Sequence, residues 1–293
     1  MRKFIVSDLH GVGDIYFPLI SFLTNLNRDE EVCLFINGDL IDRGKDSYIM
    51  LPHLLNMMDD ENNFRVIYLG GNHEYMMYKL INDLEHKKLI PDTTWFDVSN
   101  GGRKTFYDLS QNGYEGKDII NLKNELGDLP IYHLFNEEIG GKKIVLVHAK
   151  CPSSIEKNCN IFINDLNMFN ESYVWFREED IFKRFNNVGN KKYFTIIGHT
   201  PVNNKDGYYL YKKGDVLNID GGCARYALGL KEYDHIPIVE VCEDYLKIIT
   251  FNMNNEIIKG DIFDGSAFTI IDDISLNNYR KYLDKNPYER KRK

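Results

Sequence analysis

The feature that most constrains the fold is a unit that recurs six times: a short apolar run, rich in β-branched residues, ending in a polar turn. The runs are Phe4–Val6, Val32–Ile36, Val66–Leu69, Ile144–Val147, Phe194–Ile197 and Val216–Ile219. Each has the length and composition of a buried strand. The turns that follow contain Asp8 and His10, Gly38-Asp39, Gly71-Asn72-His73-Glu74, His148-Ala149-Lys150, Gly198-His199-Thr200 and Asp220-Gly221-Gly222. Apolar residues at helical spacing fill Asp14–Leu26, Ser47–Met58 and Glu74–Leu84. Strand, helix, strand predicts parallel pairing through crossover helices. Ligands of such sheets sit at the carboxyl ends of the strands, so all six turns are expected to meet along one edge.

The remainder is arranged around this frame. Residues 86–128 have a helical pattern broken at Asn100-Gly101-Gly102 and are expected as an insertion over the sheet edge. Gly140-Gly141 between Ile131–Glu138 and Lys142–Val147 predicts a hairpin. A second hairpin is expected near Gly207–Leu217, and two antiparallel strands over residues 236–252. Tyr279 to Lys293 holds seven basic and two acidic residues and is expected as a solvated tail. No low-complexity linker or repeat intervenes. The expectation is a single domain over residues 1–275 followed by a basic C-terminal tail over 276–293.

Composition narrows the function classes. A net charge of −8 argues against a nucleic-acid binder, which offers basic stripes to phosphates. The five cysteines form no close pairs and are expected as free thiols in a reducing compartment. The start, Met1 to Gly11, lacks the apolar stretch of a signal peptide, and no run approaches the ~20 apolar residues of a membrane span. A soluble, cytoplasmic protein without a membrane partner is expected.

Four of the eight histidines, His10, His73, His148 and His199, stand in turns directly after expected strands. His53, His86, His133 and His235 do not and are expected as surface or packing residues. A lone Asp-x-His means little. The joint placement of Asp8, His10, Asp39, Asn72, His148 and His199 at strand ends supplies a mixed oxygen and nitrogen donor set without thiolates. Such a set suits Mn²⁺ first, with Fe or Zn²⁺ as alternatives, and is too rich in nitrogen for a dedicated Ca²⁺ site. It exceeds the needs of one tetrahedral ion. Six ligands with one shared carboxylate fit two ions about 3.5–4 Å apart. Asp39, in the central turn, is the natural bridge. The neutral Asn72 amide would ligate without adding charge.

The block Gly38-Asp39-Leu40-Ile41-Asp42-Arg43-Gly44, with Gly71-Asn72-His73-Glu74, is the most specific signal. Together with Asp8-Leu9-His10-Gly11, His148-Ala149 and Gly198-His199-Thr200, it resembles the calcineurin-like metallophosphoesterases. Within them it resembles the serine/threonine protein phosphatase group, whose motifs symmetrical diadenosine tetraphosphatases share. The resemblance spans residue 4 to about residue 225, and Trp95 to Thr105 resembles a Gly-Gly segment of bacterial members.

The resemblance implies an α/β fold, a β-sandwich of mixed sheets flanked by helices with the active site at strand carboxyl ends. It implies that Asp8, His10 and Asp39 bind one metal, and Asp39, Asn72, His148 and His199 the other. Hydroxide bridging the ions would attack phosphorus directly. Arg43 would clamp phosphate oxygens, with Asn72 and Arg177 as further phosphate contacts. His73 would protonate the leaving oxygen, and Asp42 would hold it in the needed tautomer. The expected partner is a phosphorylated substrate, a phosphoprotein or a small phosphoester. Dinucleoside polyphosphates and nucleic-acid ends are the alternative substrates, and specificity is expected in residues 86–128 and near Lys150 and Lys205. Three positions depart from the family pattern. Ser7 replaces a glycine before Asp8, Lys150 replaces a glycine after His148-Ala149, and the Asp220 turn matches only loosely. Asp220 is expected to be structural.

Overall fold

The computed structural model describes residues 1–59, 64–155, 161–167, 170–176, 191–202, 208–210 and 215–283. The six apolar runs all form strands: β1 (Arg2–Val6), β2 (Val32–Asn37), β3 (Arg65–Leu69), β5 (Lys142–Val147), β6 (Tyr193–Ile197) and β8 (Val216–Asn218). The other strands are β4 (Tyr132–Ile139), β7 (Tyr209–Leu210), β9 (His235–Val241), β10 (Leu246–Asn252), β11 (Ile257–Phe263) and β12 (Phe268–Ile270). Helices α1 (Gly13–Asn27), α2 (Ser47–Asp59) and α3 (Asn72–Glu85) follow β1, β2 and β3.

The strands form two mixed sheets. The first has the order β12-β11-β10-β9-β1-β2-β3, with β1, β2 and β3 parallel and β9 to β12 antiparallel. The second has the order β4-β5-β6-β8-β7, with β5, β6 and β8 parallel and the hairpins β4–β5 and β7–β8 antiparallel. Three of the six turns therefore belong to each sheet. They converge because the sheets stack, not because one sheet edge carries them all.

Alternation along the strands builds the sandwich. On β1 and β2, Ile5, Cys33 and Phe35 join Ile144, Leu146, Phe194 and Leu217 of the second sheet in an inter-sheet core. The intervening Phe4, Val6, Leu34 and Ile36 pack under the helices. Both faces of each run are covered, so the runs are continuously apolar instead of alternating.

The insertion forms a 3-10 turn at Thr94–Phe96 and helices α4 (Gly102–Gln111) and α5 (Lys117–Gly127). Helix α4 packs on α2 and α5 on α3, so the segment rests on the crossover helices beside the edge strand β3. Further short helices are α6 (Ser172–Trp175) and α7 (Cys223–Ala227).

The expected solvated tail is corrected at its start. Helix α8 (Asp273–Arg280) is capped by Asp272, whose carboxylate accepts the Ser275 N–H at 2.8 Å. Leu276, Tyr279 and Tyr282 are buried. The Tyr279 hydroxyl donates to Glu240 at 2.5 Å and that of Tyr282 to Asp29 at 2.8 Å. Basic charge does not prevent docking where an amphipathic face supplies the apolar contact. Among the described residues, no helix is long and apolar enough to cross a membrane. Cys33, Cys223 and Cys242 are free thiols, Cys151 is buried, and Cys159 lies outside the described residues.

Candidate active site

Eight described non-glycine residues have positive φ, and six of them are expected site residues: Asp8 (55°), His10 (43°), Asp39 (52°), Asp42 (74°), Arg43 (66°) and His199 (66°). The left-handed region costs an L-residue on the order of 1 kcal/mol or more, though Asp and His tolerate it better than most. Six such residues after three strands, β1, β2 and β6, put sharp turns where the site was expected. Packing there is equally tight. Gly38 adopts φ 76°, and a Cβ on it would lie 2.6 Å from His148 Nδ1 and 2.7 Å from Gly71 Cα. The turns after β2 and β3 meet the histidine after β5 only because these positions lack side chains.

Asp8, His10, Asp39, Asn72, His148 and His199 are all brought together and are at most 2% exposed. Asp39 is central. Its carboxylate lies 3.5 Å from His10 Nε2, 3.4 Å from His148 Nε2 and 4.0 Å from His73 Nε2. Asn72 Oδ1 is 3.2 Å from His148 Nε2. Two groups of donors each lie within 4.8 Å of one another, His10 with Asp39 and His73, and Asp39 with His148 and His199. Both contain Asp39. Metal–donor bonds of about 2.0–2.2 Å place neighbouring donors on one ion roughly 3 Å apart, so these separations fit metal ions. Backbone carbonyls select the tautomers. Ile41 O takes His10 Nδ1–H at 3.2 Å and Asn37 O takes His148 Nδ1–H at 2.8 Å, so each Nε2 faces the cluster.

Asp8 stands slightly apart. Both its oxygens accept the His199 N–H at 3.0 Å, and the Ser7 hydroxyl donates to Oδ2. Ser7, where the family has glycine, thus contributes a hydrogen bond to an expected ligand.

Charge coupling within the cluster is strong. Burial raises the Asp8 carboxyl to about 7, with Asp39 adding to the rise and His148 opposing it. Burial would also raise Asp39, but His148, His73 and His10 hold it well below the usual range. His148 is raised to about 10 because Asp39 outweighs the effect of burial. His10 is held well below its ordinary value by burial and then by Arg43. Asp220 accepts the Gly222 N–H at 2.9 Å, as a turn residue should. Its carboxyl is nonetheless raised well above the usual range, by burial and then by Asp8. It therefore lies within the field of the site, closer than its expected structural role implied.

Around the cluster, Asp42 Oδ2 accepts His73 Nδ1–H at 2.7 Å. His73 Nε2 is buried and has no hydrogen-bond partner among the described residues. Arg43 lies at the mouth, its Nη1 2.8 Å from His10 Nε2 and its Nε donating to Ser99 O at 3.3 Å. The Lys150 ammonium lies 4.7 Å from the centre of the Phe176 ring, a cation–π contact. Trp175 meets the His199 ring edge-on at 6.3 Å. Arg177 and Lys205 lie outside the described residues.

Sequence reasoning gave no role to several residues that hold the site. The Glu74 carboxylate accepts the backbone N–H groups of Asp39 at 2.8 Å, Leu40 at 3.0 Å and Gly71 at 3.0 Å, locking the turns after β2 and β3 together. The Asn37 amide donates to Val147 O at 3.1 Å, joining β2 to β5 across the two sheets. Ser47 Oγ accepts the Asp42 N–H at 2.9 Å. A carboxylate closing the Gly-Asn-His-Glu turn was the one visible signal among these, because a buried acid there must be matched by donors.

The calcineurin-like phosphoesterase family profile matches residues 1–236. Similar solved structures include a cold-active protein tyrosine phosphatase at 15% identity, covering 94% of this chain and 80% of that one, with TM-score 0.48. A protein serine/threonine phosphatase from Saccharomyces cerevisiae is similar at 14% identity, covering 83% and 73%, with TM-score 0.47. A putative diadenosine tetraphosphatase is similar at 14% identity, covering 92% of both chains, with TM-score 0.45. No curated protein sequence matches the chain. With the family profile spanning every turn of the buried Asp and His cluster, the chain belongs to the calcineurin-like phosphoesterases and is a phosphoric ester hydrolase.

Proposed function

We propose that the chain is a dinuclear-metal-dependent phosphomonoesterase of the serine/threonine protein phosphatase type. The observation that carries this reading is the pair of buried donor groups that share Asp39, one with His10 and His73 and the other with His148 and His199, together with a His73 Nε2 that has no hydrogen-bond partner among the described residues. Asp8, His10 and Asp39 would hold one ion, and Asp39, Asn72, His148 and His199 the other. Two divalent ions there, Mn²⁺ first with Fe or Zn²⁺ as alternatives, would supply positive charge for the phosphate and would lower the pKa of the attacking water.

The remaining steps fall to the chain's own groups. Arg43, at the mouth, draws in phosphate oxygens with its planar fork and stabilises the charge that develops on them. Asn72 and Arg177 add phosphate contacts. His73, its Nδ1–H given to Asp42, carries a proton on Nε2 and delivers it to the leaving oxygen. A cleft of about 220 Å³ lined by Tyr75, Lys79, Glu171 and Trp175 shares its tryptophan with the site and offers space for the leaving group.

The protein-phosphatase assignment rests on the Gly38 to Gly44 and Gly71 to Glu74 blocks. It is tested by comparing p-nitrophenyl phosphate, phosphoserine peptides and diadenosine tetraphosphate, each with Mn²⁺, Fe²⁺ and Zn²⁺. Turnover of phosphopeptides supports the assignment. Cleavage of the dinucleotide with phosphopeptides untouched transfers it to dinucleoside polyphosphate hydrolysis.

A further inference from the structure

Asp42 is fully buried, and its carboxylate accepts three side-chain donors. One is His73 Nδ1–H. The other two come from the insertion. Trp95 Nε1–H donates to Oδ2 at 2.7 Å and Thr105 Oγ1–H to Oδ1 at 2.6 Å. Trp95 is 0% and Thr105 2% exposed, so neither bond competes with water. Trp95 precedes and Thr105 follows the Gly-rich break, on the 3-10 turn and on α4. The same segment touches Arg43. Ser99 O accepts from its Nε, and Gly101, at φ 83°, lies so close that a Cβ on it would come 2.5 Å from the Arg43 backbone nitrogen.

We infer that the segment from Trp95 to Thr105 is a positioning device for proton delivery, with Trp95 and Thr105 as the residues that orient Asp42 and, through it, His73. The chemistry follows from the bond count. Oδ2 is shared by the indole and the imidazole, so the indole N–H fixes the angle at which that oxygen meets His73. The Thr105 hydroxyl holds Oδ1 and stops the carboxylate rotating about its Cβ–Cγ bond. His73 Nε2 then points at the cluster around Asp39, 4.0 Å away. An imidazole free to tilt would lose the alignment that proton transfer to a departing oxygen requires. Packing alone would not need this pattern: a valine fits the space of Thr105 and a phenylalanine much of that of Trp95. Both residues act through Asp42.

This inference rests on the reading of His73 as the group that protonates the leaving oxygen, and the test separates the two. Thr105→Val, Thr105→Ser, Trp95→Phe, His73→Asn and the double variant His73→Asn with Thr105→Val are compared on p-nitrophenyl phosphate and on a phosphoserine peptide or another alkyl phosphoester. Bound metal is measured by mass spectrometry and folding by circular dichroism. Loss of a hydrogen bond to the buried carboxylate should lower kcat on the alkyl ester about tenfold, with KM and metal content unchanged. The loss should be smaller on the aryl ester, whose leaving group needs no proton. Thr105→Ser should recover most of the rate, and Thr105→Val should add nothing in the His73→Asn background. Equal losses on both esters, or a further tenfold loss in that background, overturn the inference. If His73→Asn itself spares the alkyl ester, the role of His73 falls, and this inference with it. If His73→Asn slows the alkyl ester but Thr105→Val and Trp95→Phe do not, this inference alone falls. Should Thr105→Val not fold, Trp95→Phe decides.

Discussion

Asp39 is the residue on which most constraints converge. It sits at φ 52°, gives its N–H to Glu74 and its carbonyl to the His10 N–H, and presents its carboxylate to three imidazoles. Its negative charge is also what raises His148 to about 10. Asn in its place keeps the shape and tolerates the left-handed turn, but it removes the charge and one of two oxygens able to bridge. Asp39→Asn is therefore expected to fold with near-native circular dichroism while binding fewer than two ions per chain. Its hydrolysis of p-nitrophenyl phosphate should fall by at least about 10²-fold, since a lost metal removes several kcal/mol of charge stabilisation. Mass spectrometry of the native protein gives the stoichiometry. Two ions bound tightly by this variant would remove Asp39 from the bridging position.

At the scale of elements, the strands after which chemistry sits were legible and the supporting ones less so. The first three strands carry continuous β-branched runs, and their turns carry Asp, His and Asn at fixed places, so periodicity and residue type agree. Strands β11 and β12 went unread because Ile257–Phe263 is broken by Lys259, Gly260 and Asp261, and Phe268–Ile270 is exposed on all three residues. Trp95 and Thr105 were visible only as parts of a family segment, because a contact spanning 53 or 63 positions leaves no local trace. His133 on β4 is a similar case. Expected as a surface or packing residue, it packs in a three-ring cluster with Phe35 and Phe135, both ring centroids 4.7 Å away. Burial, then Lys3 and Arg65, lowers it from 6.5 to about 4. The unfolded chain takes up a proton below pH 6.5 and the folded chain resists until about pH 4, so the unfolded state binds more protons in that window. Stability from this site is whole above pH 6.5 and is lost as pH falls towards 4, by at most about 3 kcal/mol. In urea melts, His133→Phe should show a shallower decline across that window than the parent. Parallel curves for the two proteins would show that His133 takes up its proton without unfavourable burial.

Across the whole molecule, the candidate site is the seam where two sheets join. Asp8, Asp39 and Asn72 follow β1, β2 and β3 of the first sheet, and His148 and His199 follow β5 and β6 of the second. Direct bonds across this seam include Asn37 to Val147 O and the His199 N–H to Asp8. Ions held there would add a cross-link between the sheets and offset the buried carboxyl groups of Asp8 and Asp220, both raised by burial. Removing them should therefore weaken the fold and not merely silence the enzyme. A ligand present at 100 times its dissociation constant stabilises by about 2.7 kcal/mol, which for a chain of this size corresponds to roughly 4–5 °C in Tm. Exhaustive chelation should lower Tm by that amount, and Mn²⁺ should restore it with the logarithm of its free concentration. Asp39→Asn supplies the control: with the carboxylate common to both donor groups gone, its Tm should respond far less to chelator or to Mn²⁺. If the parent chain, shown metal-free by mass spectrometry, melts at the same temperature as the loaded protein, the ions do not join the sheets. The direct hydrogen bonds across the seam would then suffice on their own.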